Sequence, residues 1–302
     1  MKKILITGTV AFDEIETSKG SSGKVIGGAG TYIGLASSLF SNRLAIVSII
    51  GDDFPKKEIK FLNDREINTD MIQIIAGEKT FYWKGKYHEN MIGRDTLVTE
   101  LNVLEKFNPK VNTEFSGSEI ILLGNLHPAV QNSVISQSTN PERFTILDTM
   151  NFWMDNALDE LKDVIRKVNL IIINDEEAQQ LTSEANIFIA GEKILKMGPQ
   201  KVIIKKGEHG SVYLDNYQKY ILPAYPVTSL VDPTGAGDSF AGGIAGSLSN
   251  KSEIGFKEIK EAMIFGTLTA SFCVENFGVE GLRNLDHEKL SKRLKIFKSY
   301  LT

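Results

Sequence analysis

Apolar residues along this 302-residue chain fall into short continuous runs that alternate with segments of helical spacing. Lys3 to Val10 reads as a buried strand, followed directly by Ala11-Phe12-Asp13-Glu14. Ile33, Leu35, Ala36 and Leu39 recur at helical spacing, Leu44 to Ile50 is another buried strand, and Pro55 to Arg65 reads as a helix. From Met71 to Leu101 the pattern changes. Thr80-Phe81-Tyr82-Trp83-Lys84-Gly85-Lys86-Tyr87 is aromatic and basic without helical period, and the polar stretch Glu89 to Thr96 follows, which predicts short strands. Strand and helix then alternate: Glu119 to Leu123 with a helix from Ala129, Phe144 to Asp148 with a helix from Asp155, Leu170 to Asn174 with helices from Asp175 and Ala185, then Val202 to Lys205. Pro226 to Val231 is strand-like, and Phe240, Ile244 and Leu248 start a helix near Gly237. Glu258 to Val274 is a long helix stopped by Gly278, and Leu285 to Tyr300 closes the chain as a last helix. This alternation predicts an α/β fold, a mainly parallel sheet between helices, in a single domain over 1–302.

Composition narrows the picture. A hydrophobic fraction of 42% supports a sizeable core, and a net charge of −4 argues against nucleic acid as the main partner, since phosphate backbones demand a basic face. Cys273 is the only cysteine and lies in the apolar run Leu268 to Val274, which reads as a buried, inert thiol in a reducing, cytoplasmic setting. The opening Met1 to Ile6 imitates a signal peptide, but Gly8, Thr9 and Asp13 interrupt it without a cleavage site, so a first strand explains it better. No stretch approaches the ~18 apolar residues of a membrane span.

The candidate chemistry centres on Asp232-Pro233-Thr234-Gly235-Ala236-Gly237-Asp238-Ser239-Phe240. A helix start offers unpaired amides and a partial positive charge, and glycines let the backbone approach a ligand closely, so this loop suits an anion such as phosphate. Asp238 has two readings: it complements the helix dipole, or it deprotonates a hydroxyl that attacks a phosphoryl group. Gly27-Gly28-Ala29-Gly30 fails as a dinucleotide fingerprint, because Ile33 stands where the last glycine belongs, and this counts against an NAD-dependent oxidoreductase. Asp13, Asn125, Asp148 with Asn151, and Asn174 all fall at strand ends, the edge where open α/β sheets bind ligands.

The stretch 232–240 resembles the C-terminal signature of the ribokinase-like (PfkB) small-molecule kinases, and the likeness extends over nearly the whole chain. It implies a three-layer ribokinase-like fold with a small β-sheet lid, inserted at about 11–26 and 71–102, which closes over the acceptor or pairs with a second subunit. It implies that Gly235, Ala236 and Gly237 form an anion hole for the transferred phosphoryl group and that Asp238 is the base. Asp13 and Gly28 would hold the acceptor with Asn125, and Tyr32 stands where many relatives place an acceptor-binding Asn. Asn174 and Glu177 resemble the motif that organises Mg²⁺ and the nucleotide phosphates, Glu177 through water. Lys205 and Gly207 resemble the turn beside the nucleotide, and Asn276 and Gly278 the loop beside the adenine. Asp232 and Thr234 match a monovalent-cation site of the K⁺ type. The function implied is an ATP- and Mg²⁺-dependent kinase of a sugar or nucleoside, without nucleic acid or membrane as partner. Tyr32 with Phe81, Tyr82, Trp83 and Tyr87 turns the acceptor toward an adenosine-like nucleoside, since aromatic faces stack on bases. The same residues packing the lid and core leave a ribose- or fructose-type kinase as the alternative, and a non-catalytic nucleotide-binding member as another.

Overall fold

The apolar runs pair side by side in a computed structural model that describes residues 1–301. Across the main ten-stranded sheet the order is Lys219–Leu222, Ser211–Leu214, Lys201–Lys205, Leu170–Asn174, Phe144–Asp148, Ile120–Leu123, Ile4–Thr7, Leu44–Gly51 and Ile67–Asn68, with Ile72–Ile75 also on Leu44–Gly51. The first two pairings in that order are antiparallel and the rest parallel. Strands covered on both faces must be apolar at every position, which is why they read as continuous runs. Ile4 and Ile6 enter one core with Ile33, Ile46 and Ile244, whereas Leu5 between them enters the other with Ile121, Ile171 and Ile204.

One helix organises the first of those faces. Ala236–Leu248 is buried from Ser239 to Leu248 and lies between the helices Ala29–Ser38 and Phe256–Cys273. Small residues permit that approach: a Cβ on Gly242 would stand 2.5 Å from the Ile33 carbonyl oxygen, and one on Gly243 would stand 2.4 Å from Thr269 Oγ1. Thr269 Oγ1 donates to the Ser239 carbonyl at 2.8 Å and Ser37 Oγ to that of Gly242 at 2.9 Å, so both neighbours fix the helix along its axis.

A separate four-stranded sheet forms the lid, in the order Gly20–Gly27, Ala11–Thr17, Tyr82–Tyr87 and Arg94–Glu100. Its second segment is narrower than 71–102, because Ile72–Ile75 joins the main sheet. Pro226 to Val231 is not a strand. Prolines at 223, 226 and 233 remove ladder donors, and the Val231 and Asp232 amides instead donate to the Val274 carbonyl at 2.8 and 3.2 Å. Among the described residues no helix is long and apolar enough to cross a membrane.

Candidate active site

The C-terminal ends of the parallel strands gather Asn125, Asp148, Asn174 and Lys205 along one edge, and the glycine loop arrives there from the buried helix. Gly235 is its N-cap with φ 75°, a left-handed conformation that excludes most side chains. A Cβ at that position would also come within 2.4 Å of the Tyr32 ring. Tyr32 is 1% exposed, so it is a floor under the loop and not an open face for a base, and its buried hydroxyl has no hydrogen-bond partner among the described residues. Asp232, itself buried, straps the loop on its other side: Oδ1 accepts from the Thr234 amide at 2.8 Å and Oδ2 from the Gly278 amide at 2.9 Å.

The lid touches this loop directly. Thr234 Oγ1 donates to the Tyr87 hydroxyl oxygen at 3.1 Å, and Ile15, Tyr87 and Met91 form a small core with Val25, Trp83, Leu230 and Phe277. Of the lid aromatics, Tyr82 donates to Glu14 and packs against the main core, while Tyr87 is buried. Sequence reasoning missed Arg94, the one arginine between 71 and 102, whose guanidinium lies over the Trp83 and Tyr87 rings at 5.4 and 6.0 Å. Its charge draws down the carboxyls of Asp13, Glu177 and Asp238.

Four carboxyls are displaced upward here, Asp232 among them by burial. Burial pushes Asp13 to about 7, against the pull of the Gly28 amide that donates to its Oδ2 at 3.3 Å. The carboxylate fits only because residue 27 is glycine: a Cβ there would stand 1.9 Å from Asp13 Oδ2. Burial, with the Asp148 charge beside it, also pushes Asp238 up to about 7, and Lys205 opposes the shift. Glu177 rises to about 7 by burial. Its Oε2 accepts from the Asn174 amide at 2.9 Å while Asn174 Oδ1 accepts from the Glu177 amide at 2.7 Å, a capping box that aims the carboxyl back at the sheet edge. Among the described residues no three acidic, His or Cys side chains cluster as a cation cage. One carboxylate with an uncommitted oxygen fits an Mg²⁺ that keeps its waters and arrives on phosphates.

The remaining predicted residues divide. Gly28 lies between Asp13 and the helix Ala29–Ser38, and Gly207 sits exposed in the turn Gly207–His209 after Lys205. Asn276 is exposed on the loop whose Gly278 amide is tied to Asp232. Asn125 lies at this edge with its Oδ1 accepting from Trp153 Nε1 at 2.8 Å, a bond that orients the amide. Lys205 reaches sideways across the edge, its Nζ 2.8 Å from Asp148 Oδ1. The Asp148 partner was visible in the sequence only as a polar strand end.

A glycine loop at a buried helix start, a carboxyl one residue beyond it, and a small β-sheet packed at a parallel-sheet edge accompany the ribokinase-like fold of a small-molecule phosphotransferase. The chain belongs to the pfkB family of carbohydrate kinases, whose family model matches residues 1–284. It is 26% identical over 256 residues to a cytidine kinase of Thermococcus kodakarensis, a match covering 82% of this chain and 89% of that protein. Among solved structures, Methanocaldococcus jannaschii nucleoside kinase superposes with a TM-score of 0.78 at 20% identity, covering 98% and 99% of the two chains. An Escherichia coli putative ribokinase II in complex with ATP and Mg²⁺ superposes with a TM-score of 0.81 at 16% identity, covering 98% and 100%.

Proposed function

We propose that this ribokinase-family kinase transfers the γ-phosphoryl group of ATP to a hydroxyl of a ribose-bearing nucleoside, adenosine-like purines and cytidine being the first to test. The observation that carries the reading is the pairing of Gly235 at φ 75° with a part-buried Asp238 one turn into the helix start, its carboxyl pushed up to about 7. A carboxylate whose proton affinity lies near neutral pH is a stronger proton acceptor than an ordinary carboxylate and is still available in its charged form at and above that pH. In this reading Asp238 takes the acceptor proton while the amides of Gly235, Ala236 and Gly237 stabilise the phosphoryl oxygens. Asp13, Gly28 and Asn125 line the acceptor side, and Tyr32, buried together with its hydroxyl, carries the loop from below without touching the acceptor. Asn174, Glu177, Lys205, Gly207, Asn276 and Gly278 border the nucleotide. When bound, Mg²⁺ supplies charge neutralisation to the phosphates, and Glu177 with Asn174 would hold it through water.

A nucleoside is favoured over a free sugar by the names of the nucleoside and cytidine kinases this chain resembles and by Trp83, whose part-exposed indole stands at the lid. The burial of Tyr32 removes one of the stacking faces and leaves the free-sugar kinase as the competing outcome. The deciding measurement is kcat/KM with ATP and Mg²⁺ for adenosine, inosine, cytidine, ribose and fructose. A free sugar that beats every nucleoside by about tenfold, roughly 1.4 kcal/mol, overturns the nucleoside assignment, and no turnover of any acceptor overturns catalysis itself.

Two accessory assignments belong to the same reading. Asp232 is a buried carboxylate held by the Thr234 and Gly278 amides with no cationic side chain among the described residues bonded to it, a setting that a K⁺ ion beside it and Thr234 would neutralise. Equal rates in sodium, potassium and tetramethylammonium salts at fixed ionic strength would exclude that site. The outer lid strand Arg94–Glu100 is exposed along its whole length and carries Leu97 and Val98, the surface through which a second subunit would pair. A monomer in sedimentation equilibrium removes that assignment.

A further inference from the structure

A lysine ammonium is pressed against the positive end of a helix in this site. Lys205 ends the strand Lys201–Lys205, and its Nζ lies at the first turn of Ala236–Leu248, where a Cβ on Gly237 would stand only 2.9 Å from it. Unpaired helix amides carry partial positive charge, so a cation there is unfavourable unless anions surround it. One anion is built in. Asp148 Oδ1 accepts from Nζ at 2.8 Å, the two side chains being 18% and 7% exposed, and the strand Leu170–Asn174 lies between theirs in the sheet. The lysine thus crosses the strand that ends at Asn174 and is drawn away from solvent toward the glycine loop.

We propose that Asp148 holds the Lys205 ammonium at the glycine loop as a binding group for the transferred phosphoryl, which makes Lys205 a phosphoryl-binding residue and Asp148 its positioning residue. The proposal rests on the kinase reading above and deepens it. During transfer the acceptor oxygen forms a bond to phosphorus, the bond to the β-phosphate oxygen breaks with its electrons leaving on ADP, and the acceptor proton goes to Asp238. Lys205 exchanges nothing; it offsets the charge on the moving group from the side opposite solvent, in concert with the helix amides. An ammonium suits this task as a compact point charge with several donors: one is engaged by Asp148 and others remain for phosphoryl oxygens. A purely structural explanation makes Lys205 the counter-ion of Asp148, Glu177 and Asp238 and nothing more, and the two explanations predict different measurements.

The variants are Lys205→Met, Lys205→Gln and Asp148→Asn, with ATP and ADP binding by calorimetry in the presence of Mg²⁺, then kcat and its pH profile. Lys205→Met is expected to weaken ATP about tenfold or more while leaving ADP within about twofold, and to lower kcat by about 10²- to 10³-fold, as for loss of one oxyanion donor. Asp148→Asn does the same in smaller measure. The groups whose charges act on Asp238 are Asp148, Lys205, Asp13 and Arg94. Removing the Lys205 charge therefore moves the acid limb of the profile to higher pH, and removing the Asp148 charge moves it to lower pH. Equal weakening of ATP and ADP, kcat within threefold of the parent, or limbs that move together would overturn the proposal. Lys205→Gln, which keeps a shorter stem and a neutral donor, supplies the same comparison should Lys205→Met fail to fold. A parent that turns over an acceptor while Lys205→Met does so equally well sinks this inference alone; a parent that neither binds ATP nor turns over sinks the kinase reading with it.

Discussion

Replacing Asp13 by Asn should stabilise the protein at alkaline pH, and by an amount that grows with pH. Asp13 is 5% exposed and its carboxyl is raised from 3.8 to about 7, with burial as the main cause. The folded state therefore binds more protons than the unfolded state between those values, and stability falls as pH rises through that window. The loss is complete above about pH 7 and absent below about pH 3.8. At 1.36 kcal/mol per pKa unit, the roughly three-unit displacement costs at most about 4 kcal/mol above pH 7, of which somewhat under half is already lost at pH 5. Asn keeps the shape and the acceptor for the Gly28 amide but has no proton to release. The gain of Asp13→Asn over the parent should thus be roughly 2 kcal/mol larger at about pH 8 than at about pH 5, and about half that if water relaxes the site. Urea unfolding of both proteins at the two pH values measures the difference of differences, in which titrating groups that do not feel the Asp13 charge cancel. An increment that is the same at both pH values, or a variant less stable at about pH 8, would refute the reasoning that Asp13 is held as a desolvated carboxyl. Activity should move the other way, because the carboxylate placed on the acceptor side is lost.

Asp238→Asn should lower kcat by about 10²- to 10⁴-fold with ATP affinity little changed, and the parent's kcat/KM should fall below about pH 7; turnover within a few-fold of the parent would remove Asp238 as the base. Gly235→Ala places a Cβ 2.4 Å from the Tyr32 ring at φ 75°, a backbone cost of about 1 kcal/mol before the clash, so thermal unfolding and kcat should both drop. Adding Tyr32→Ala should restore part of what Gly235→Ala loses, and strictly additive effects would show that the ring is not what the loop rests on. Tyr87→Phe deletes the hydrogen bond from Thr234 to the lid, worth about 0.5–1.5 kcal/mol, and should raise the acceptor KM more than it lowers kcat. An unchanged KM would show that the lid is held without it.

The sequence by itself determined most of the architecture, because periodicity is a local property. Runs such as Leu170 to Ile173 are apolar at each position only when both faces of a strand are covered, and the glycine loop, Asp238 and the Asn174–Glu177 capping box announce helix starts from adjacent residues. Local patterns also misled where the donors were missing: Pro226 to Val231 has strand-like side chains, yet its flanking prolines leave no ladder to join. What only the tertiary structure decided depends on residues far apart in the chain. Tyr32 looked like an acceptor-facing aromatic until the helix Ala236–Leu248 closed over it, and burial depends on what another segment covers. Asp148 and Lys205 are 57 positions apart and meet because the strand order places a single strand between theirs. Arg94 reaches the site because the lid folds back onto Thr234 and Phe277. The displaced carboxyls of Asp13, Glu177 and Asp238 arise from the same cause: desolvation is set by packing from several segments at once, and no neighbouring residue in the chain encodes it.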